Sequence, residues 1–260
     1  MQNIKLIVTD IDNTLLRSDK SISEYTADIF KLCRERGIKI AVATARSESA
    51  CRRVAEIIKP DAIVSSGGAL VRVDDKSIYN AAMSAEITSA LMLAYINLPD
   101  IKYMSVDTPK GHFVNKPVDP NDPSWADYLP VYQVDFSQGL DCGAYKISAE
   151  ISDDKMAYAL ASEFPTVAVT PFSGENWFAF ADKAASKFNG VSALAEYFNI
   201  DAQDIIAFGD DYNDIEMLRG CGVGVAVANA IDEVKAAADD ICDTNDNDGA
   251  AKWLASNIIK

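Results

Sequence analysis

Short apolar runs alternate along this chain with stretches whose apolar residues recur every third or fourth place. Leu6 to Val8 is apolar, ends in Thr9-Asp10 and predicts a buried strand. From Ser23 to Arg36, the spacing of Ile22, Ala27, Ile29, Phe30 and Cys33 predicts a helix that Ser23 can cap and Gly37 stops. Lys39 to Ala43 reads as a strand, Ser47 to Ile58 as a helix ended before Pro60, and Ala62 to Ser65 as a third strand. This alternation predicts an α/β fold: a doubly wound, mostly parallel sheet with helical crossovers. Leu70 to Val73 and Ser77 to Tyr79, flanking Asp74-Asp75-Lys76, predict a β-hairpin.

The texture then changes. From about Ala81 to Lys183 the pattern gives a helix (Ala85 to Ile96), short β-like runs and many loop signals. Pro109, Pro117, Pro120, Pro123 and Pro130 make the stretch from Asp107 to Pro130 read as long connections. Lys146 to Ile151, Thr166 to Thr170 and Trp177 to Ala181 read as strands, with a helix from Asp153 to Phe164. From Lys187 the first rhythm returns: helices at Lys187 to Phe198, Asn213 to Leu218, Ile231 to Ala237 and Gly249 to Ile258, with strands at Ile205 to Phe208 and Val223 to Val227. The expected organisation is one core, residues 1–80 and 184–260, interrupted by an α+β insert, residues 81–183.

Composition narrows the functions. A chain of 260 residues, 49% hydrophobic and 24% charged, can bury a core without staples, which excludes disorder and coiled coil. Its net charge of −15 would repel a phosphate backbone or an anionic membrane, so neither nucleic acid nor membrane is an expected partner. The five cysteines form no CxxC pair and read as reduced thiols. With no basic leader and no run of about 18 apolar residues, the expected location is the cytoplasm. The lone histidine, His112, removes most histidine-dependent chemistry and reads as a surface or packing residue. The aromatics Tyr103, Trp125, Tyr128, Tyr132, Trp177 and Phe178 read mainly as the core of the insert. Oligomeric state has no signature here.

Four places carry candidate chemistry. Asp10-Ile11-Asp12-Asn13-Thr14 follows the first strand, and ligands in open α/β sheets sit beyond the carboxyl ends of strands. Asp10 could bind a metal or attack an electrophile and Asp12 could move a proton, although Asp-rich turns also follow strands for purely local reasons. Gly209-Asp210-Asp211-Tyr212-Asn213-Asp214 follows another strand. Its carboxylates repel one another unless a cation neutralises them, and all-oxygen ligands suggest Mg²⁺. Thr44-Ala45-Arg46 follows the second strand, where a hydroxyl and the N–H groups opening the next helix would form an anion seat. Lys187 begins a helix whose dipole it opposes, so another reason for its position is expected, with Lys183 as the competing residue.

Together these places resemble the four motifs of the haloacid dehalogenase superfamily. The first matches DxDxT and the last GDxxND, Thr44 and Lys187 stand in the intervening positions, and the insert resembles the large α/β cap of the Cof-type subfamily. That subfamily commonly has Ser-Asn-Gly-Ala after the third strand; here it reads Ser66-Gly67-Gly68-Ala69. The resemblance implies a Mg²⁺-dependent phosphatase of small phosphorylated metabolites, with sugar phosphates favoured. It implies Asp10 as nucleophile forming an aspartyl-phosphate and Asp12 as general acid and base. It further implies metal binding by Asp10, the Asp12 carbonyl and Asp210 with support from Asp214, Asp211 sharing that task. Phosphate would be held by Thr44, Ala45, Lys187 and Asn213, while Arg46, Gly67 and Gly68 are candidate substrate contacts. The second acid favours phosphoryl transfer over dehalogenation. A phosphomutase, or a non-catalytic binding protein that kept the fold, remains an alternative. Discrimination among phosphate esters is expected from the insert, because every such ester shares the phosphoryl group.

Overall fold

The computed structural model describes residues 3–98, 102–119, 121, 125, 127–128 and 130–259. The chain divides into two compact units, residues 1–79 with 186–260, and residues 80–185. These divisions fall within one or two residues of those expected from the sequence, 80/81 and 183/184.

The first unit opens with β1 (Leu6–Thr9), wholly buried, followed by α1 (Glu24–Glu35), whose N-terminus is capped by the Ser23 side chain. Next come β2 (Lys39–Ala43), α2 (Arg52–Ile58), β3 (Ala62–Ser65), β4 (Leu70–Val73) and β5 (Lys76–Asn80). One expectation fails here. The helix predicted from Ser47 begins only at Arg52, after a single 3₁₀ turn at Ser49–Cys51. The Arg46 guanidinium takes the Ala50 carbonyl at 3.2 Å and the Ser47 and Ser49 hydroxyls pair at 3.2 Å, so side chains compete with the helical ladder.

The second unit contains α3 (Ala85–Ile96), β6 (Met104–Thr108), β7 (Gly111–Val114), β8 (Val131–Gln133), β9 (Lys146–Glu150), α4 (Asp154–Ser162), β10 (Val167–Pro171) and β11 (Trp177–Asp182). Its six strands are ordered β10-β11-β9-β6-β7-β8. Met104, Val106, Ile147, Ala149, Phe178 and Phe180 join Leu91, Met92 and Leu160 of the helices in one apolar cluster. Part of the expected long connection is therefore a hairpin: β6 and β7 pair antiparallel, Asp107 opposite His112, with a turn at Pro109-Lys110. The prolines obscured it because one of them sits in the turn itself. Pro120 and Pro123 lie outside the described residues.

The chain then returns to the first unit with α5 (Lys187–Phe198), β12 (Ile205–Gly209), α6 (Ile215–Gly220), β13 (Val223–Val227), α7 (Asp232–Ala237), β14 (Asp240–Cys242) and α8 (Gly249–Asn257). The helix predicted at Asn213 splits into a 3₁₀ turn, Tyr212–Asp214, and α6; β14 was too short and polar to anticipate. The eight strands run β14-β13-β12-β1-β2-β3-β4-β5. All pairs from β14 to β3 are parallel and β3–β4 is antiparallel. From β1 the strand order advances one way through β2 and β3 and the other way through β12 and β13. The carboxyl ends of β1 and β12 thus flank the point where the topology reverses, where an open α/β sheet leaves a crevice. All five cysteines are free thiols. No helix among the described residues is long and apolar enough to cross a membrane.

Candidate active site

Four loops at the carboxyl edge of this sheet meet. Asp10 follows β1 and its N–H bonds to the Phe208 carbonyl of β12 at 3.0 Å, which sets the two acidic loops side by side. Thr44 follows β2 and its N–H bonds to the Val64 carbonyl of β3 at 2.8 Å. Ser66 and Gly67 then donate to the carbonyls of Arg46 and Thr44 at 2.7 and 2.9 Å, locking the second and third loops together.

The centre is Lys187. Its ammonium lies 2.7 Å from Asp10 Oδ1 and 2.7 Å from Asp214 Oδ1, and the side chain is 1% exposed. That is why a cation begins α5 against the helix dipole: two carboxylates from other loops outweigh it. Ser186 caps the helix by accepting the Asn189 N–H. Lys183, the competitor, is exposed. The approach of α5 depends on Gly68, which has a φ of +98°, and where a Cβ would stand 2.0 Å from the Ser186 carbonyl oxygen. Gly68 therefore packs against backbone; Gly67, at φ +72°, faces open space.

Asp214 is fully buried and spans the loop after β12. Its Oδ1 takes Lys187 while its Oδ2 accepts the N–H groups of Asp210 and Asp211 at 3.1 and 3.2 Å. Asp211 caps the 3₁₀ turn and completes a capping box with Asp214, so its carboxylate serves the loop. A Cβ on Gly209 would lie 2.5 Å from the Asp214 side chain, which explains the glycine that ends β12. Asp210 accepts the Thr14 hydroxyl at 2.8 Å, joining the first motif to the last. Asn213 Oδ1 is buried without a hydrogen-bond partner among the described residues.

Asp10, Asp210 and Asp214 can present oxygens within 4.8 Å of one another. Burial pushes the Asp10 carboxyl well above its ordinary value; Lys187 opposes this, and Asp214 and Asp210 add to it. Burial and the neighbouring Asp214 push Asp210 up to about 7. Lys187 is held above its usual range, the desolvation that would lower it being outweighed by Asp10 and Asp214. Three carboxylates against one ammonium leave two negative charges to be balanced. A close, all-oxygen, doubly negative donor set fits a hard divalent cation such as Mg²⁺.

Asp12 points elsewhere. Its carboxylate accepts Arg46 Nε and Nη2 at 2.7 and 2.8 Å and lies 3.1 Å from Lys20 Nζ. Burial would raise its pKa, but Arg46 and Lys20 bring it down to about 2. Arg46, a candidate substrate contact by sequence, is thus occupied by Asp12. Thr44 Oγ1 accepts the Arg46 N–H at 3.1 Å, and half-buried Ala45 lies in the bend between them. Because α2 starts late, any anion seat at Thr44 consists of loop N–H groups, not the helix N-terminus the sequence suggested.

Two residues that sequence reasoning missed hold the Asp12 loop. Asn229 Nδ2 donates to the Asn13 carbonyl at 2.8 Å and Asn245 Nδ2 to the Leu16 carbonyl at 2.9 Å; the Asn229 Oδ1 accepts the Asn245 N–H at 2.9 Å. Arg17 and Ser18 are further tied to Asp248 and Asp246. No local signal distinguishes these asparagines from ordinary loop residues.

Residues 7–254 match the family profile of the haloacid dehalogenase-like hydrolases. The chain is 28% identical over 265 residues to the 5-amino-6-(5-phospho-D-ribitylamino)uracil phosphatase YcsE of Bacillus subtilis, covering 99% of this chain and 97% of the relative. It is 26% identical over 250 residues to a phosphoglycolate phosphatase of Methanopyrus kandleri, covering 96% and 95%. Among solved structures it resembles BT1666, a haloalkanoate-superfamily phosphatase of Bacteroides thetaiotaomicron, with a TM-score of 0.81, 26% identity and coverage of 97% and 94%.

Proposed function

The chain belongs to the haloacid dehalogenase-like hydrolases and is a phosphatase of phosphorylated small molecules; we propose that it hydrolyses sugar phosphates through an aspartyl-phosphate on Asp10, with Mg²⁺ as cofactor. The observation that carries this reading is the buried Lys187 ammonium held between Asp10 and Asp214, with Asp210 beside them. The relatives' named substrates are phosphomonoesters of small polar groups, which supports the substrate class.

Asp10 and Asp210, with Asp214 behind them, would hold Mg²⁺, whose charge lets a carboxylate approach a phosphate dianion. Asp10 attacks phosphorus as the bond to the leaving oxygen breaks. Lys187 keeps Asp10 oriented and, with Thr44, Ala45 N–H and Asn213, holds the phosphoryl oxygens. Asp12 gives its proton to the leaving alkoxide, then takes one from the water that hydrolyses the aspartyl-phosphate. The Arg46-bound carboxylate described above is the base form, so proton donation requires that this pair loosen. Selectivity among esters is assigned to the insert.

Steady-state release of inorganic phosphate from a panel of sugar phosphates, with Mg²⁺ and with EDTA, tests the reading and separates hydrolysis from mutase chemistry. Asp10→Asn should lose about 10³-fold or more. Asp12→Asn should lose much less on aryl than on alkyl phosphates, because a good leaving group needs little protonation. Equal losses would remove Asp12 from the acid role.

A further inference from the structure

The turn that follows the first motif holds a cation that the proposed reaction leaves unused. Lys20 Nζ lies 3.1 Å from Oδ1 of Asp12, eight residues back along the chain. Arg46, on the same carboxylate, is 7% exposed and is anchored on the Ala50 carbonyl, whereas the Lys20 side chain is 50% exposed. One carboxylate between two cations leaves a positive charge on the solvent side of Asp12, in a chain whose net charge is −15.

An exposed ion pair is ordinarily a loose one. The backbone beneath this pair is not loose. Lys20 has a φ of +64°, a left-handed conformation that a residue with a Cβ adopts at a cost. The turn is held in it from both sides. The Lys20 N–H donates to the Arg17 carbonyl at 2.8 Å, and the Arg17 N–H to the Ser21 carbonyl at 3.0 Å. The Lys20 carbonyl accepts Arg53 Nη2 of α2 at 2.9 Å. The Ser18 N–H and hydroxyl donate to Asp246 at 2.7 and 2.8 Å, and Arg17 forks onto Asp248 at 3.2 and 2.7 Å. A strained position secured at so many points fixes where the Lys20 stem begins, while its exposed ammonium can still change partner. A ligand contact requires that combination of anchored backbone and exchangeable charge; a solvated surface lysine needs neither.

The distance to the reacting ester follows from the role of Asp12. A general acid stands about 2.6–3.2 Å from the oxygen it protonates, so Lys20 Nζ lies within about 6 Å of a leaving oxygen seated on Asp12 Oδ1. A group on the carbon next to that oxygen comes within reach of the ammonium. An anionic group gains most, because charge-assisted hydrogen bonds are about twice as strong as neutral ones. We infer that Lys20 is a specificity-determining residue of the first unit: it binds a carboxylate on the carbon adjoining the scissile oxygen and so favours phosphorylated hydroxy acids, sugar acids among them. The inference deepens the phosphatase reading and rests on it. To the shape that the insert selects, Lys20 adds a criterion of charge.

2-Phosphoglycerate and glycerol 2-phosphate test this, because they differ only in a carboxylate against a hydroxymethyl group at that carbon. The quantity to measure is the ratio of their kcat/KM values with Mg²⁺, acid over alcohol. Lys20→Met should lower the ratio about fivefold, the upper end of what an exposed charge pair contributes. Lys20→Gln should do the same, and Lys20→Arg should keep most of it. An effect of Lys20 on Asp12 alone falls on both esters equally and cancels in the ratio. Circular dichroism identifies the folded variants, and either neutral replacement suffices. A ratio unchanged in a folded neutral variant, or lowered as far in Lys20→Arg, overturns the proposal. So does a wild-type enzyme that hydrolyses sugar phosphates but not 2-phosphoglycerate, a result that leaves the phosphatase reading standing. If wild type with Mg²⁺ releases phosphate from none of these esters, the phosphatase reading itself fails and this proposal falls with it.

Discussion

Asp12 and Arg46 are joined twice, Nε to Oδ2 at 2.7 Å and Nη2 to Oδ1 at 2.8 Å, and the guanidinium is buried while the carboxylate is partly exposed. Such a two-point pair fixes direction as well as charge. Arg46→Ala should let the Asp12 carboxyl rise from about 2 toward its ordinary value. The acid limb of the kcat profile, where the base form is lost, should then move to higher pH. Stability follows the same sign. A carboxyl held below its unfolded value of 3.8 stabilises the fold above that pH and ceases to do so as pH falls toward 2. The acid unfolding midpoint of Arg46→Ala should therefore lie at higher pH than that of wild type, as followed by circular dichroism.

Asp10 and Asp210 behave oppositely. Their folded values lie above the unfolded value of 3.8, so metal-free protein should lose stability as pH rises from there through about 7. Mg²⁺ must displace the Asp210 proton below about 7. Calorimetry in buffers of different ionisation enthalpy should detect proton release on Mg²⁺ binding at pH 6 and much less at pH 8. Asp210→Asn should reduce that difference, leaving the part that comes from Asp10.

Gly67 and Gly68 should respond differently to the same substitution. Gly68→Ala places a Cβ 2.0 Å from the Ser186 carbonyl oxygen at a φ of +98° and pushes the Lys187 helix outward. A stability loss of about 2–4 kcal/mol is expected, with turnover reduced at least as severely. Gly67→Asn occupies open space in a left-handed conformation that Asn tolerates, so its melting temperature should stay near that of wild type. A Gly68→Ala protein with normal melting and turnover would contradict the close packing of α5.

Asn245→Ala removes the bond to the Leu16 carbonyl and loosens the loop that carries Asp12. The buried carbonyl left unpaired should cost about 1–3 kcal/mol in urea unfolding. The kcat loss should exceed what the fraction unfolded explains, and should be larger for alkyl than for aryl phosphates.

Much of this protein is written in local pattern. The strands β2, β3, β4 and β13 and the helices α3 and α5 coincide with the apolar runs and spacings that announced them, because a buried strand or an amphipathic helix must repeat its apolar residues at its own period. The acidic motifs were legible too, since several carboxylates at a strand's end are unusual without a compensating charge. What local pattern could not supply is partnership. Lys187 meets Asp10 across 177 residues, Asn245 meets Leu16 across 229, and Arg46 meets Asp12 across 34. Nothing near Arg46 in sequence indicates that its charge serves Asp12. His112, which the sequence reads as a surface or packing residue, is buried and held by Asp107, with Nε2 lacking a hydrogen-bond partner among the described residues. Periodicity is a property of one segment, whereas the charge state and direction of a buried side chain depend on which distant groups the sheet order brings within about 3 Å; only the tertiary structure decides that.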